Sequence, residues 1–265
     1  MYATSYHRAS SVGEAVNLRA SHDEGRYVSG GMTLIATMKQ RLAAPSDLID
    51  LRHIADLRGI SVEGRSVRIG AATPHADVAG SAALRTVCPA LCHLAGLIGD
   101  PHVRNMGTIG GSVANNDPAA DYPSAVLALN ATVVTDRREI AADDFFLGMF
   151  DTALEEAEMI TAFRFEAPEK AGYAKFPNPA SRYAITGVFV AKTAGGARVA
   201  VTGAGSSGVF RVPEMEAALL SSWAPESVAN VSVDPAQLMS DLHATAEYRA
   251  NLVRVMAKRA VQASL

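Results

Sequence analysis

Two stretches of this chain combine glycines with hydroxyl side chains in a way that could hold a phosphate. The first is Ser29-Gly30-Gly31-Met32-Thr33, and the second is Gly107-Thr108-Ile109-Gly110-Gly111-Ser112. Glycine lets backbone N–H groups approach a ligand with no side chain in the way, and a neighbouring hydroxyl adds a donor. Loops that lead into helix N-termini suit anions for the same electrostatic reason. Two such loops could converge on a diphosphate from opposite sides. The plain alternative is a pair of tight turns, which use glycine constantly. Asp117-Pro118-Ala119-Ala120-Asp121 follows the second stretch. Its two carboxylates could cap a helix, or accept hydrogen bonds from sugar hydroxyls or an adenine amino group.

Other chemistry is poorly supported. Gly203-Ala204-Gly205-Ser206-Ser207-Gly208 matches G-x-G-x-x-G. A nicotinamide fold needs a helix to open at the third glycine and an acidic residue to close the next strand. Here Val209-Phe210-Arg211-Val212-Pro213 intervenes, and Glu226 follows Pro225 instead. The motif reads better as a glycine-rich turn. No G-x-S-x-G, H-E-x-x-H or P-loop occurs. The seven histidines show no metal-ligand spacing, and His75, His93 and His102 read as structural. Cys88 and Cys92 are too few for a disulfide scaffold, a zinc site or an iron–sulfur cluster. They read as ordinary buried thiols on one helix face, which fits a reducing cytoplasm.

The elements that position these loops follow from periodicity and punctuation. Residues 11–20 read as a helix, with Ser11 and Glu14 at capping-box spacing. Strands are expected at Arg26–Val28 and Leu48–Leu51, with a helix from Thr33 to Arg41 between them. Ser61–Gly70 alternates about a glycine and reads as a hairpin. Helices are expected from Thr73-Pro74-His75, over residues 86–98 and over Pro123–Leu129. Thr108 to Asp121 reads as a long glycine-, asparagine- and aspartate-rich stretch, opening with the second glycine loop, Gly107–Ser112. Ala131–Thr135 and Arg137–Ile140 read as sheet, with Phe145, Phe146 and Phe150 as core anchors. Beyond Pro168, strands at Tyr173–Phe176, Ile185–Lys192 and Arg198–Thr202 precede helices at Pro213–Leu220 and Tyr248–Ala263. That order suggests a separate α+β unit.

Length and composition bound the answer. The chain has 265 residues, 49% hydrophobic and 19% charged, which excludes global disorder. A net charge of −3 leaves no basic excess for nucleic acid or anionic lipid. No apolar run is long enough for a membrane span, and the first residues lack the apolar stretch of a signal peptide.

At the two loops the chain resembles the FAD-binding medium subunit of the molybdenum hydroxylase family, the xanthine dehydrogenase and carbon monoxide dehydrogenase type. The similarity runs through Ser29–Thr33 and Asp100–Ala114, then through Asp117–Asp121, Asp143–Phe146 and Glu158–Thr161. It continues in Tyr173–Phe176, Ala180–Ala184, Val201–Gly205 and Tyr248–Val253. It therefore spans essentially the whole chain.

The resemblance implies an α+β protein: a PCMH-type FAD-binding domain of two small α/β subdomains (residues 1–57 and 58–167), then a C-terminal α+β domain (168–265). That last domain is expected to hold a three-stranded antiparallel sheet with helices. The implied cofactor-binding residues are Ser29, Gly30, Gly31, Met32 and Thr33, together with Thr108, Ile109, Gly110, Gly111 and Ser112. Asp121 would hold the adenosine or ribityl part, Ile160 would contact the cofactor, and Lys175 would sit near the flavin or its phosphates. Tyr183 would pack on the isoalloxazine. No catalytic acid or base is implied. FAD would be non-covalent, since Met32 stands where histidine is common and cannot form a histidyl bond. His102 and Met106 depart from the family's usual glutamine and arginine.

A molybdenum cofactor on a large subunit and [2Fe-2S] clusters on a small subunit would pass electrons through this FAD to an external acceptor, in a cytoplasmic heterotrimer. The rivals are a self-contained FAD-dependent oxidoreductase, a nicotinamide dehydrogenase and a flavin-free scaffold subunit.

Overall fold

The computed structural model describes residues 1–265. Three successive stretches of chain each build a principal sheet. The first contains β1 (Ser5–Arg8), α1 (Val12–Ala20), β2 (Arg26–Val28), α2 (Leu34–Lys39) and β3 (Asp47–Asp50). Its strands are parallel in the order β1-β3-β2. Ser11 caps α1 by accepting from the Glu14 amide at 3.1 Å. Glu14 reaches back to the amide of Ser10, one residue before the cap, at 2.8 Å. The box thus closes with an offset of one residue, still satisfying an amide at the helix entrance.

The second stretch begins with a hairpin, β4 (Ile60–Glu63) and β5 (Ser66–Gly70). Six short helices follow: α3 (His75–Gly80), α4 (Ala82–Val87), α5 (Pro89–Gly96), α6 (Pro101–Met106), α7 (Ile109–Asn115) and α8 (Tyr122–Ala128). Then come β6 (Thr132–Thr135), β7 (Glu139–Ala141), α9 (Ala142–Phe145), the small hairpin β8 (Phe146–Gly148) and β9 (Asp151–Thr152), and β10 (Ile160–Glu166). The sheet is antiparallel in the order β4-β5-β10-β6-β7, so β10 enters its centre last.

Three expectations change here. The helix over 86–98 is two helices, because Pro89 lacks an amide hydrogen and starts a new first turn at α5. The second glycine loop, Gly107–Ser112, is largely helical: from Ile109 on it is the start of α7, capped by the Thr108 hydroxyl. Phe145 is fully buried, but Phe150 is 62% exposed and anchors no core. It sits at the tip of the β8–β9 hairpin with a left-handed backbone (φ 57°). The Asn116 side chain holds that hairpin through the carbonyls of Gly148 and Asp151, at 2.7 and 2.8 Å.

The third stretch contains β11 (Lys170–Pro177), β12 (Ala184–Thr193), β13 (Gly196–Thr202), β14 (Phe210–Arg211), α10 (Pro213–Ser221) and α11 (Ala246–Ala263). Its three long antiparallel strands are as expected, and the two-residue β14 adds a fourth at the edge. On α11, Leu252, Val253, Met256, Ala257, Ala260 and Val261 are buried, a helical stripe facing inward. Each large side chain in such a stripe contributes about 1.5–3 kcal/mol on burial.

The G-x-G-x-x-G segment is the turn between β13 and β14, with Gly203 and Gly208 in left-handed conformation. The Ser206 and Met239 amides tie it to the residues after α10. No helix opens at its third glycine, as the sequence indicated.

Candidate functional site

The first loop leaves the C-terminal end of β2, and its six amides from Ser29 to Leu34 donate no hydrogen bond within the protein. Gly31 adopts φ +69°, turning the chain into α2. The second stretch meets the first at very short range. A Cβ on Gly30 would lie 2.2 Å from the Met106 carbonyl oxygen and 2.6 Å from Gly107 Cα. The Thr108 hydroxyl donates to the Ser29 hydroxyl at 3.1 Å, clasping the two segments. Only glycine permits this approach.

The two stretches do not offer the same chemistry. In the second, the Gly110 amide donates to Ala71, the Gly111 amide to the Thr108 hydroxyl and the Ser112 amide to the Thr108 carbonyl. The Ile109 amide donates to Thr73. These donors are engaged because the segment is the first turn of α7, which the glycine-rich composition disguised. Gly110 serves packing: a Cβ there would lie 2.6 Å from the Ala71 side chain. Ile109 and Gly110 are buried. The Thr108 amide and the Ser112 hydroxyl remain open.

Both segments line one cavity of about 940 Å³, within the range of small-molecule and cofactor sites. Ser29 to Thr33, Thr108, Gly111, Ser112, Asp121 and Tyr183 all line it, Asp121 as a buried residue. Tyr183 is 46% exposed, so its ring stands at the rim. His75, which reads as structural in the sequence, also lines the cavity. Burial, followed by the nearby Arg104 charge, lowers its pKa to about 4, so it is neutral at physiological pH. Its Nδ1 has no hydrogen-bond partner.

Ile160 and Lys175 are not on the cavity wall. Ile160 is buried at the start of β10. Lys175 projects from β11 to Asp121, with Nζ 2.9 Å from Oδ1 and 3.1 Å from Oδ2. It also donates to the Leu97 carbonyl at 3.1 Å, and the Tyr173 hydroxyl donates to Asp121. Burial pushes the Asp121 carboxyl above its ordinary range, while Lys175 and Tyr173 oppose that push. Both carboxylate oxygens are thus engaged inside the protein. The Thr202 hydroxyl donates to the Pro118 and Ala120 carbonyls, and the Gly203 amide to Pro118. The C-terminal sheet therefore fixes residues 117–121 as part of the cavity wall. Of the three departures from the family pattern, only Met32 lines the cavity; Met106 contributes the carbonyl against Gly30, and the His102 side chain faces solvent.

Comparison with known proteins places the chain in a family. Residues 2–167 match the family described as the FAD binding domain in molybdopterin dehydrogenase. The chain belongs to this family. It is 36% identical to the carbon monoxide dehydrogenase medium chain of Afipia carboxidovorans, over 97% of this chain and 95% of that one. It is 32% identical to the nicotine 6-hydroxylase medium subunit of Paenarthrobacter nicotinovorans, over 98% and 96% of the two chains. The fold superposes on carbon monoxide dehydrogenase from Hydrogenophaga pseudoflava with a TM-score of 0.89 and 36% identity, covering 99% and 97% of the chains.

The site's own features fit the family's cofactor. A run of free amides suits a diphosphate, whose oxygens only accept hydrogen bonds at neutral pH. The glycine-only junction brings both segments to that run, and the cavity beyond it has room for a dinucleotide's rings.

Proposed function

We propose that this chain is the FAD-binding electron-transfer subunit of a multi-subunit molybdenum hydroxylase. The observation that carries the reading is the unspent amide run Ser29–Leu34, clasped against Thr108 on the wall of a cofactor-sized cavity. These amides hold the diphosphate, with the Thr108 amide and Ser112 hydroxyl on the other side. Met32 gives that loop an apolar side chain, so attachment is non-covalent. Tyr183 covers the isoalloxazine and limits water access. Asp121, Lys175, Ile109, Gly110 and Ile160 act behind the wall, by fixing the segments that touch the cofactor.

Bound FAD supplies one capacity the protein lacks: taking electrons singly and releasing them as a pair. The chain contributes position and environment. In this reading a large molybdenum-cofactor subunit and a small [2Fe-2S] subunit deliver the electrons, and an external acceptor removes them. The free buried thiols of Cys88 and Cys92 suit a cytoplasmic setting. No helix is long and apolar enough to cross a membrane. Residues 1–57, 58–167 and 168–265 serve as two FAD-binding subdomains and a buttressing domain.

The test is the visible spectrum of the purified chain and chromatography of the nucleotide released by acid. Release of FAD at about one per chain supports the reading. Failure to bind flavin after incubation with excess FAD overturns it for this chain.

A further inference from the structure

At the opposite end of the first sheet, the fold gathers three side chains that sequence spacing had left apart. His7 lies on β1, Asp47 opens β3, and His22 follows α1. His7 Nε2 is 2.7 Å from Asp47 Oδ1, and His22 Nε2 is 3.6 Å from the same oxygen. The two rings are 4.8 Å apart between centroids. One ligand atom from each residue falls within a 4.8 Å cluster. None of the three lines the FAD cavity.

The orientation of His22 makes this more than a hydrogen-bonded cluster. Its Nδ1 is 2.7 Å from the Leu18 carbonyl oxygen, which can only accept. Nδ1 therefore carries a proton, and in the singly protonated ring the lone pair of Nε2 faces a carboxylate oxygen. Two lone pairs facing each other at 3.6 Å leave room for a cation between them. Outer-shell bonds of this kind fix the tautomer of metal-ligating histidines. Asp47 has an outer partner as well, since the Ser46 hydroxyl donates to Oδ2 at 2.7 Å. Zinc–nitrogen and zinc–oxygen bonds of about 2.0–2.2 Å place tetrahedral ligands roughly 3.3 Å apart. The observed 2.7 and 3.6 Å separations bracket that value.

We propose that His7, His22 and Asp47 form a binding site for a divalent transition-metal ion, with Zn2+ the best match. Nitrogen and carboxylate ligands suit zinc among the borderline metals. The imidazole side chains are 28% and 30% exposed, so ions can enter and a fourth position stays open to water. The metal replaces the His7 proton and joins β1, β3 and the turn after α1. That turn leads directly into β2 and the Ser29 loop, so the ion braces the sheet that presents the free amides.

The test uses the full chain, free of any histidine tag and stripped of metal. ZnCl2 is titrated against a competing chromophoric chelator, for the wild type, His22→Gln and the His7→Gln/His22→Gln pair. The expected result is one Zn2+ per chain, with affinity reduced about tenfold or more in His22→Gln and stoichiometric binding abolished in the pair. Co2+ in place of Zn2+ should give the intense visible absorption of a tetrahedral site in the wild type alone. Circular dichroism and FAD binding check that the variants are folded; the histidines, rather than buried Asp47, are changed for that reason. Equal Zn2+ binding by the wild type and the double variant would overturn the proposal, as would no binding by a folded wild type.

Discussion

Replacing Gly30 by alanine tests the site at its tightest point. The added Cβ would sit 2.2 Å from the Met106 carbonyl oxygen, whereas ordinary contact begins at 3.4 Å. The two backbones must therefore part by about 1.2 Å, the difference of those distances. Neither can yield by rotating a side chain. Overpacking of this kind costs about 1–3 kcal/mol. In the free protein both segments border an open cavity and can separate. In the complex the diphosphate requires them together, so the cost falls on the bound state. At about 1.4 kcal/mol per decade, the FAD dissociation constant should rise roughly 5- to 150-fold. Flavin fluorescence quenching gives that constant, and urea unfolding of the apoprotein gives the stability change separately. A folded Gly30→Ala variant that binds FAD within about twofold of the wild type would refute the assignment of this junction to the cofactor.

Four further outcomes follow from the same structure. Gly110→Ala, whose Cβ would meet Ala71 at 2.6 Å, should lower the urea-unfolding free energy by about 1–3 kcal/mol; an unchanged midpoint would show that α7 does not need this contact. Lys175→Met strands the buried Asp121 carboxylate and should cost about 3–5 kcal/mol at neutral pH. Because burial raises the Asp121 pKa, its folded state tolerates the protonated form better, so the deficit should shrink as pH falls below neutrality; a deficit independent of pH would contradict this. Arg138 hydrogen bonds lower the Glu158 pKa from 4.5 to about 2. Its stabilisation is present above 4.5 and lost as pH falls toward about 2, so Glu158→Gln should flatten the urea midpoint against pH across that window. Burial pushes the Cys88 thiol up to about 12, so a thiol reagent should leave it unmodified until the chain unfolds, and rapid native labelling would show otherwise.

What was legible in the sequence divides along a physical line. Helix α1, strands β2 and β3, the β4–β5 hairpin and the long C-terminal strands carry local signals, and they appear where periodicity and glycine turns place them; β1 (Ser5–Arg8) does not, since its one partner is the distant β3. The glycines of the first loop are legible as punctuation between a strand and a helix but read equally well as a tight turn; the free amides that set the loop apart emerge only in three dimensions. The nature of α7 was not legible, since two glycines in its first turn imitate a loop, and their reason is the distant backbone of Ala71. The engagement of Asp121 was equally hidden, because Lys175 and Tyr173 come from another sheet more than fifty residues away. β10 left no clear local signal, as its partners are far along the chain. His7, His22 and Asp47 failed every spacing rule because strand pairing, not helix periodicity, brings them together.

The central place of β10 also sets a timetable for the molecule. Gly70 on β5 pairs with Ala162 on β10, 92 residues later, and β6 reaches β5's sheet only through that same strand. A growing chain can close its first sheet after about fifty residues, yet the second must wait, holding α3 to α8 as one large unfinished excursion. Contacts of such long range are slow to form. The cavity waits longer still, because residues 117–121 are pinned by Thr202 and Gly203 and its rim needs Tyr183. Cofactor capture is therefore an event at the end of synthesis. A flavin bound at full strength certifies that the ribosome has delivered almost the whole polypeptide, and a prematurely terminated product carries no yellow colour into assembly.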